Sequence, residues 1–550
     1  TEPGVIIPVT GDLFKNKLRQ RNNSEYYHMV DAYLSYDNTF NHHHIRGLVG
    51  FNYEQDYQKN LYSTMMDIQS NNLNDFNLGN HTEGVSLEGG QYEWALESFF
   101  GRVGYDWKGR YLAEVNLRWD ASSRFRRDKR AAVFPSVSAG WRVSEEPFFA
   151  PIRNTFSNFK IRGSFGSLGN QAISSPYPYI QTLDLLQQNY LVNGEFLTYA
   201  SVSAPTAGNF TWETVVHGNL GLDLGFFNNR LTFAGDLYIR DTKDMLVPGK
   251  TLPGVYGAAS PKENAADLRT KGYELTLSWN DKFNLAGKPF TYGVSFALGD
   301  NISKITKYDN PTKDFNVSQY YEGMTIGEIW GYQIDGLFKT DEEAAAYQAE
   351  IDHSLIAKNI LQTATGKYKG LKAGDPKFVD LDGNGRIDDG EKTANNRGDM
   401  RVIGNSRPRY NYSGSINLGW NGFDISAFFQ GVGRQHRYPD GNAMLFWGGY
   451  ARPYSSFVPE HFLDDVWSED NPDAYFPKLR GYAAQGDRHL AKVNNRYLQN
   501  TAYCRLKNLT VGYTLPVDLT RKARIDRVRV YFSGDNLVTW TALKSKYIDP

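Results

Sequence analysis

The chain has 550 residues, enough for several ordinary domains or for one very large barrel. Its formal net charge of −1 gives no electrostatic reason to expect nucleic-acid binding, and its single cysteine excludes an internal disulfide or a thiolate metal cluster. Mean hydropathy is −0.54 and no long apolar run occurs, so a transmembrane helix is excluded. A strand-built membrane protein is not excluded, because its lumen face and loops are polar.

The opening residues, TEPGVIIPVT, do not resemble a translated start or a signal peptide. We therefore expect the chain to be a piece of a longer protein.

One stretch, RYLAEVNLRWD (110–120), shows the pattern that recurs along the chain. Tyr111, Val115, Leu117 and Trp119 share one face, whereas the other face carries Glu114, Asn116 and Arg118. Successive side chains of a strand point to opposite faces, so this strand has an apolar face that begins and ends on an aromatic ring. Such a strand suits either a soluble sandwich or a membrane barrel with aromatic girdles at both interfaces.

In chain order, the alternation of apolar and polar residues predicts fourteen strands. They span residues 27–40, 45–53, 92–105, 110–120, 133–143, 156–165, 212–226, 231–240, 273–279, 292–298, 410–420, 423–430, 503–513 and 528–536. Short turns, such as Asn421-Gly422, alternate with long polar loops. A soluble sandwich has no reason to put every short turn at one end, whereas an up-and-down outer-membrane barrel has short periplasmic turns and long extracellular loops. The sequence therefore predicts an all-β, antiparallel transmembrane barrel.

The longest loop insertion, residues 301–409, contains the sharpest motif. Its segment DLDGNGRIDDGE (380–391) fits the twelve-residue EF-hand calcium loop at every fixed position. The predicted metal ligands are Asp380, Asp382, Asn384, the backbone carbonyl of Arg386, Asp388 through water, and bidentate Glu391. The ligand number favours Ca²⁺ over Mg²⁺ and suggests a structural ion that stiffens an extracellular loop. The alternative is an acidic, glycine-rich surface loop without metal.

A capping box at Thr340–Glu343 predicts a short helix over residues 341–357 of the same insertion. Elsewhere, the loop after Trp119 is basic, with Arg124, Arg126, Arg127, Lys129 and Arg130. It could meet anionic lipopolysaccharide or an anionic substrate, but a solvated loop is the simpler interpretation. No catalytic set can be singled out, so we expect the protein not to be an enzyme.

Several segments together resemble the SusC-like branch of TonB-dependent outer-membrane transporters. They are FPSVSAGWRVSEEPFF (134–149), KIRGSFGSLGNQ (160–171), FTWETVVHGNLGLDLGFFNNRLTFAGDLYIRDTKDML (210–246), TKGYELTLSW (270–279), IGEIWGYQIDGLF (326–338), GDPKFVDLDGNGRIDDGE (374–391), IGNSRPRYNYSGSINLGWNGFDISAFFQG (403–431), YCRLKNLTVGYTLP (503–516) and VRVYFSGDNLVTWT (528–541). Each segment by itself matches the family pattern only loosely. Their occurrence in the same order along nearly the whole chain makes the resemblance specific.

The resemblance implies that residues 1–550 are the C-terminal major part of a twenty-two-stranded barrel, a size class whose lumen is plugged. The family's plug, its TonB-binding segment and its last strand are then expected outside this sequence. Implied partners are TonB, a SusD-like surface lipoprotein that caps the mouth, the outer membrane with its lipopolysaccharide, and a second SusC–SusD pair. The implied function is active import of oligosaccharides. Peptide import, a passive porin and a secreted β-rich carbohydrate-binding protein remain alternatives.

Within this resemblance, long-loop aromatic residues are candidate sugar platforms, because flat aromatic faces match a pyranose face. The candidates are Trp330, Tyr332, Trp447 and Tyr450. Packing within the loops or in an aromatic girdle is the competing interpretation for each of them.

Overall fold

The computed structural model describes residues 16–549, except for 71, 83, 174–176, 193, 204, 207, 209, 250–254, 256–259, 316–319, 358–369, 457 and 487. The first ten residues, on which the expectation of a fragment rests, lie outside the described part of the chain.

Fourteen strands form one antiparallel sheet whose spatial order follows the chain order, which confirms the predicted number and the all-β class. The strands are β1 Lys17–Phe40, β2 His43–Met66, β3 Ser86–Trp107, β4 Tyr111–Ser122, β5 Ala131–Arg142, β6 Phe156–Asn170, β7 Glu213–Phe226, β8 Leu231–Pro248, β9 Lys262–Leu285, β10 Lys288–Lys307, β11 Arg409–Trp420, β12 Phe423–Arg434, β13 Tyr503–Thr514 and β14 Arg529–Thr541. Within the described residues, β1 and β14 are the two edges of the sheet.

The two faces of the sheet differ as the alternation predicts. On β4, Tyr111, Val115 and Leu117 are exposed, whereas Asp120 on the opposite face is buried. Arg118, also on that polar face, donates to Asp120 at 2.7 Å and to Ser98 on β3 at 2.8 Å. The apolar face therefore faces outward, and the polar face carries hydrogen-bonded side chains toward the lumen.

Short and long connections alternate around the sheet. At one end the chain turns through residues 41–42, 108–110, 143–155, 227–230, 286–287, 421–422 and 515–528. The loops at the other end reach up to residues 308–408 and are longer, with the exception of the connection 123–130. At Asn421 and Gly422 φ is +46° and +91°, the left-handed pair that a two-residue hairpin turn requires. The predicted asymmetry of the connections is therefore confirmed.

Rows of aromatic rings cross the apolar face near both ends of the strands. At the short-turn end, Tyr111 lies between Trp107 and Trp141, with ring centroids 5.6 and 6.3 Å away. At the long-loop end, Phe99 lies between Phe51 at 5.1 Å and Trp119 at 5.8 Å. Tyr111 and Trp119 are about 26 Å apart along β4, or about 20 Å across a membrane at the usual strand tilt. These rows bracket the apolar surface as the girdles of a membrane barrel do.

Several strands extend further toward the long-loop end than the sequence predicted. We expected the second strand to end at Tyr53, but β2 continues to Met66, which pairs with Lys17 on β1. The alternation ends where the strand leaves the membrane, because both faces then meet water. The backbone ladder needs no apolar side chain and therefore continues.

The loops contain short elements of their own. Paired strands are Leu183–Gln187 with Thr198–Val202, Glu328–Gly331 with Arg401–Asn405, Ile334–Leu337 with Pro376–Phe378, and His436–Arg437 with Gln499–Asn500. The α-helices are α1 Asp341–Glu350, α2 Ser354–Ala357, α3 Met444–Trp447 and α4 Val517–Lys522. Turns of 3₁₀-helix cover Phe76–Leu78, Val143–Glu145, Pro147–Ile152, Gly448–Tyr450 and Glu460–Asp465.

The predicted helix over 341–357 is divided into α1 and α2. Thr340 caps α1, and its hydroxyl accepts from the Glu343 N–H at 3.1 Å. Asp352 accepts from the Ser354 N–H at 2.9 Å, so its side chain competes with the helical backbone and starts a new helix there. In the described parts of the chain, none of the helices is long and apolar enough to cross a membrane.

Candidate metal centre and lumenal cavities

The acidic loop of residues 380–391 is held at the edge of a small apolar cluster in the β10–β11 insertion. Ile387, eighth in the loop, is 1% exposed and packs with Tyr332, Ile334, Ile356 and Phe378. The Ile387 N–H donates to the Asp352 carbonyl at 2.7 Å. The loop is therefore anchored to the segment between α1 and α2.

The loop backbone adopts the tight turns that its sequence predicts. Asp380 accepts from the N–H groups of Gly383 at 2.7 Å and Gly385 at 2.9 Å. Asp382 accepts from the Asn384 N–H at 3.1 Å. Gly385 has a φ of +79°, which an L side chain rarely adopts, so a glycine is needed at this sixth position.

Asp399 is a candidate ligand that lies outside the twelve-residue motif. It is 0% exposed, and one of its carboxylate oxygens lies within 4.8 Å of oxygens from both Asp380 and Asp382. It accepts from the N–H groups of Leu381 at 2.6 Å and Asp388 at 2.8 Å. Burial raises the pKa of the Asp399 carboxyl, and the neighbouring Asp382 and Asp380 carboxylates raise it further. Three close carboxylates suit a hard divalent cation, which would neutralise their mutual repulsion.

The remaining predicted ligands lie around this group of three. Asp388 is buried and its side chain is paired with Arg386. Asn384 accepts from the Arg386 N–H at 2.9 Å. Glu391 is exposed and lies outside the group of three carboxylates. Coordination by Asn384, Arg386, Asp388 and Glu391 therefore stays a prediction, and Asp399 competes with Glu391 for the twelfth-position role.

Two of the four candidate sugar platforms lie in the core of the β12–β13 loop. Trp447 and Tyr450 are both 0% exposed and pack with Phe446, Phe462 and Phe476. The Trp447 indole N–H donates to the carbonyl of Asp440 at 3.0 Å. In this structure both rings stabilise the loop, and substrate contact by them would require that core to open.

The other two candidates lie in the β10–β11 insertion. Tyr332 is 3% exposed within the cluster that anchors the acidic loop. Trp330 is half-buried, and one ring face is stacked on Phe315 with a centroid distance of 4.5 Å. Trp330 has the greatest exposure of the four, and substrate contact by any of them stays a prediction.

A buried ion pair joins the two largest loops. Arg480 of the β12–β13 loop donates to both oxygens of Asp375 in the β10–β11 insertion, each at 2.8 Å. Asp375 is only 2% exposed, whereas the Arg480 side chain keeps 25% of its exposure, so it is the carboxylate that is shielded from water. His489 is buried nearby, and burial lowers the pKa of its imidazole to about 4. The two loops therefore form one packed surface above the sheet.

Several cavities lie along the polar face of the sheet in the described part of the chain, and two of them draw polar side chains from several strands. One, of about 520 Å³, is lined by the side chains of Tyr238, Glu274, Thr276, Asn301, Asn411, Ser413 and Gln430. The second, of about 640 Å³, has Arg102, Arg118, Asp120, Phe134 and Trp212 among its lining residues. Both volumes are in the range of small-ligand sites. No sequence motif marks these cavities, because they are built from single residues on several strands.

An antiparallel sheet with an outward apolar face, aromatic rows at its borders and all long loops at one end defines an integral outer-membrane β-barrel. The chain belongs to the TonB-dependent receptor-like β-barrel family, whose model matches residues 8–352. Members of this family are transport proteins of the outer membrane rather than enzymes. This membership excludes the secreted carbohydrate-binding alternative.

Similar proteins include TonB-dependent receptor P3 of Formosa agariphila, 29% identical over 532 residues, with 93% of this chain and 48% of the relative covered. TonB-dependent receptor SusC of Bacteroides thetaiotaomicron is 28% identical over 429 residues, with 76% of this chain and 38% of the relative covered. The solved RagAB peptide transporter has the same fold, with a TM-score of 0.74 and 22% identity over 96% of this chain and 53% of that one. The chain thus spans about half the length of the curated relatives that it matches.

Proposed function

We propose that the protein containing this chain imports a large nutrient across the outer membrane, with energy supplied through TonB. The main support is the match to the TonB-dependent receptor family, together with similarity to SusC. A SusD-like surface lipoprotein is the proposed lid over the long-loop end, and two such pairs form the proposed assembly. The packed surface of the two largest loops offers a firm platform for such a lid.

An oligosaccharide is the proposed cargo. The cavity around Glu274, Asn301 and Asn411 combines carboxylate, amide and hydroxyl groups with the ring of Tyr238. Amides and carboxylates bind neighbouring sugar hydroxyls, and an aromatic face covers the apolar face of the ring. This combination is the observation that carries the choice of an oligosaccharide.

A peptide is the second candidate cargo. The RagAB structure is described as a peptide transporter, although at 22% identity it supports only a common fold. The second cavity provides Arg118 and Asp120, opposite charges that suit the termini or charged side chains of a peptide. Arg118 is already paired with Asp120, so a peptide would have to displace that contact.

We also propose that a Ca²⁺ ion stiffens the acidic loop through Asp380, Asp382 and Asp399. The donors are hard oxygens, which Ca²⁺ prefers, and Mg²⁺ would demand a stricter octahedral geometry. The loop is anchored through Ile387 beside Tyr332, so ordering it also orders the insertion.

The first experiment is mild-detergent extraction of the full-length protein from its native membrane, followed by mass spectrometry of co-purifying proteins and bound small molecules. Co-purification of a surface lipoprotein with a bound glycan supports the proposal, and a bound peptide selects the second candidate. A protein without a partner or plug, which conducts small solutes passively, contradicts active import.

The cavity is tested by Asn301→Ala with Asn411→Ala. Loss of two amide contacts should weaken binding of the glycan identified in the first experiment by at least about tenfold. Leu277→Ala on the lipid-facing side of β9 is the matched control and should bind normally. Equal affinity in the double variant and the control would exclude this cavity as the glycan site.

A further inference from the structure

The loop between β4 and β5 concentrates positive charge. Residues 124–130, RFRRDKR, contain five basic residues and one acidic residue, although the whole chain has a net charge of −1. The connection comprises residues 123–130 and is the shortest at the long-loop end of the sheet. It therefore remains close to the membrane surface, while the other loops rise above it.

Three of the five basic side chains are engaged within the loop or its base. The Arg124 guanidinium lies 4.4 Å from the ring centroid of Trp94, and Arg130 donates to the Phe125 carbonyl at 3.1 Å. Arg126 is paired with Asp128 at 3.2 Å. Phe125 is 0% exposed in an apolar cluster with Phe134 and Trp212. The side of the loop that carries Phe125 therefore packs against the barrel and is closed to a ligand.

The other two, Arg127 and Lys129, are free. Both are exposed, and neither side chain has a hydrogen bond or ion pair with any described residue. Two exposed cations thus lie two residues apart on a loop whose base is fixed by the buried Phe125.

The position of the loop identifies its partner. Trp119 in the outer aromatic row pairs with the exposed Val133 on β5, and the loop begins only four residues after Trp119. The basic residues therefore lie about 10–15 Å beyond the aromatic row, at the level of the lipid headgroups. In the outer leaflet of an outer membrane, those headgroups are phosphorylated glycolipids.

We propose that Arg127 and Lys129 bind the phosphate groups of the outer-leaflet glycolipid, with Arg130 reinforcing the positive field. A guanidinium binds phosphate through two parallel hydrogen bonds, and an ammonium adds a compact point charge. The contact holds this edge of the barrel at a defined depth. An anionic cargo in the lumen is the weaker partner, because the lumenal side of the loop is filled by Arg124, Phe125 and Trp94.

The test uses the full-length protein in detergent, titrated with diphosphoryl lipid A and with the same lipid after dephosphorylation, and read by native mass spectrometry. The variant is Arg127→Gln with Lys129→Gln, which leaves the packed arginines intact. The control, Lys282→Gln with Lys288→Gln, removes the same charge around the turn at the opposite end of the sheet. Each basic residue near an anionic lipid surface contributes about fivefold in affinity, so the loop variant should bind diphosphoryl lipid A about 25-fold more weakly.

The control variant should bind diphosphoryl lipid A as tightly as the unmodified protein does. All three proteins should bind the dephosphorylated lipid with equal affinity. The proposal is overturned if the loop variant binds diphosphoryl lipid A as tightly as the unmodified protein does. It is also overturned if inorganic phosphate alone competes at equal concentration, or if the variant keeps its lipid but loses a co-purifying protein. The second outcome would indicate a site for free phosphate, and the third a protein interface.

Discussion

Asp399→Asn separates the two candidates for the twelfth-position ligand of the acidic loop. The three carboxylate oxygens lie within 4.8 Å of one another, and two unit charges at that limit repel by about 3 kcal/mol at an effective dielectric constant of 20, or by about 1 kcal/mol in water. The higher value applies to the half-buried Asp380 and the lower one to the exposed Asp382. Removing the Asp399 charge relieves both repulsions but sacrifices one backbone hydrogen bond, which costs about 1 kcal/mol. The variant loop should therefore be about 3 kcal/mol more stable than the unmodified loop when calcium is absent.

The assay is limited trypsin digestion of the full-length protein in detergent, with calcium or with a chelator. Arg386 provides a cleavage site within the acidic loop, and Lys392 and Arg397 provide sites just after it. We expect the unmodified loop to be protected by calcium and cleaved in chelator, and the Asp399→Asn loop to be protected about equally in both. Glu391→Gln is the matched control and should behave like the unmodified protein, because Glu391 is exposed and lies outside the group of carboxylates. Loss of calcium protection in Glu391→Gln, with normal protection in Asp399→Asn, would refute this assignment.

Three further predictions concern the loops. Gly385→Ala places a side chain at a φ of +79°, which costs about 1–2 kcal/mol. Protection of the loop from trypsin should therefore require roughly tenfold more calcium, and an unchanged calcium requirement would contradict the need for glycine. Arg480→Ala leaves the Asp375 carboxylate buried and unpaired, which should lower the stability of both large loops by about 3–5 kcal/mol and accelerate their hydrogen exchange accordingly. Arg480→Lys should restore only part of the protection. Since His489 is neutral when buried, with a pKa of about 4 against about 6.5 in the unfolded chain, loop stability should be complete above pH 6.5 and fall by about 3 kcal/mol by pH 4. His489→Leu should abolish that pH dependence of the protection factors, that is, of the exchange rates after division by the intrinsic rate at each pH. Protection factors that still fall toward pH 4 in the variant would assign the effect to another group.

The strands and their connections were predictable from the sequence by itself. A strand that crosses a membrane has lipid on one side and a polar lumen on the other, so the alternation of RYLAEVNLRWD records both environments residue by residue. Turn geometry is equally local, as at Asn421-Gly422, where the two residues alone determine the backbone. The limits of β2 were not predictable, because beyond the apolar band both faces meet water and only backbone pairing continues.

The tertiary structure alone decided the composition of the candidate sites. Asp399 follows Asp380 by nineteen residues, and only the fold of the intervening chain brings their carboxylates together. Trp447 and Tyr450 look like surface aromatics in a polar loop, but that loop is long enough to form an apolar core of its own, which buries them. The lumenal cavity draws single residues from several strands, such as Glu274 on β9 and Asn411 on β11. Local patterns determine which face a strand buries, whereas distances between remote side chains depend on how the whole chain packs.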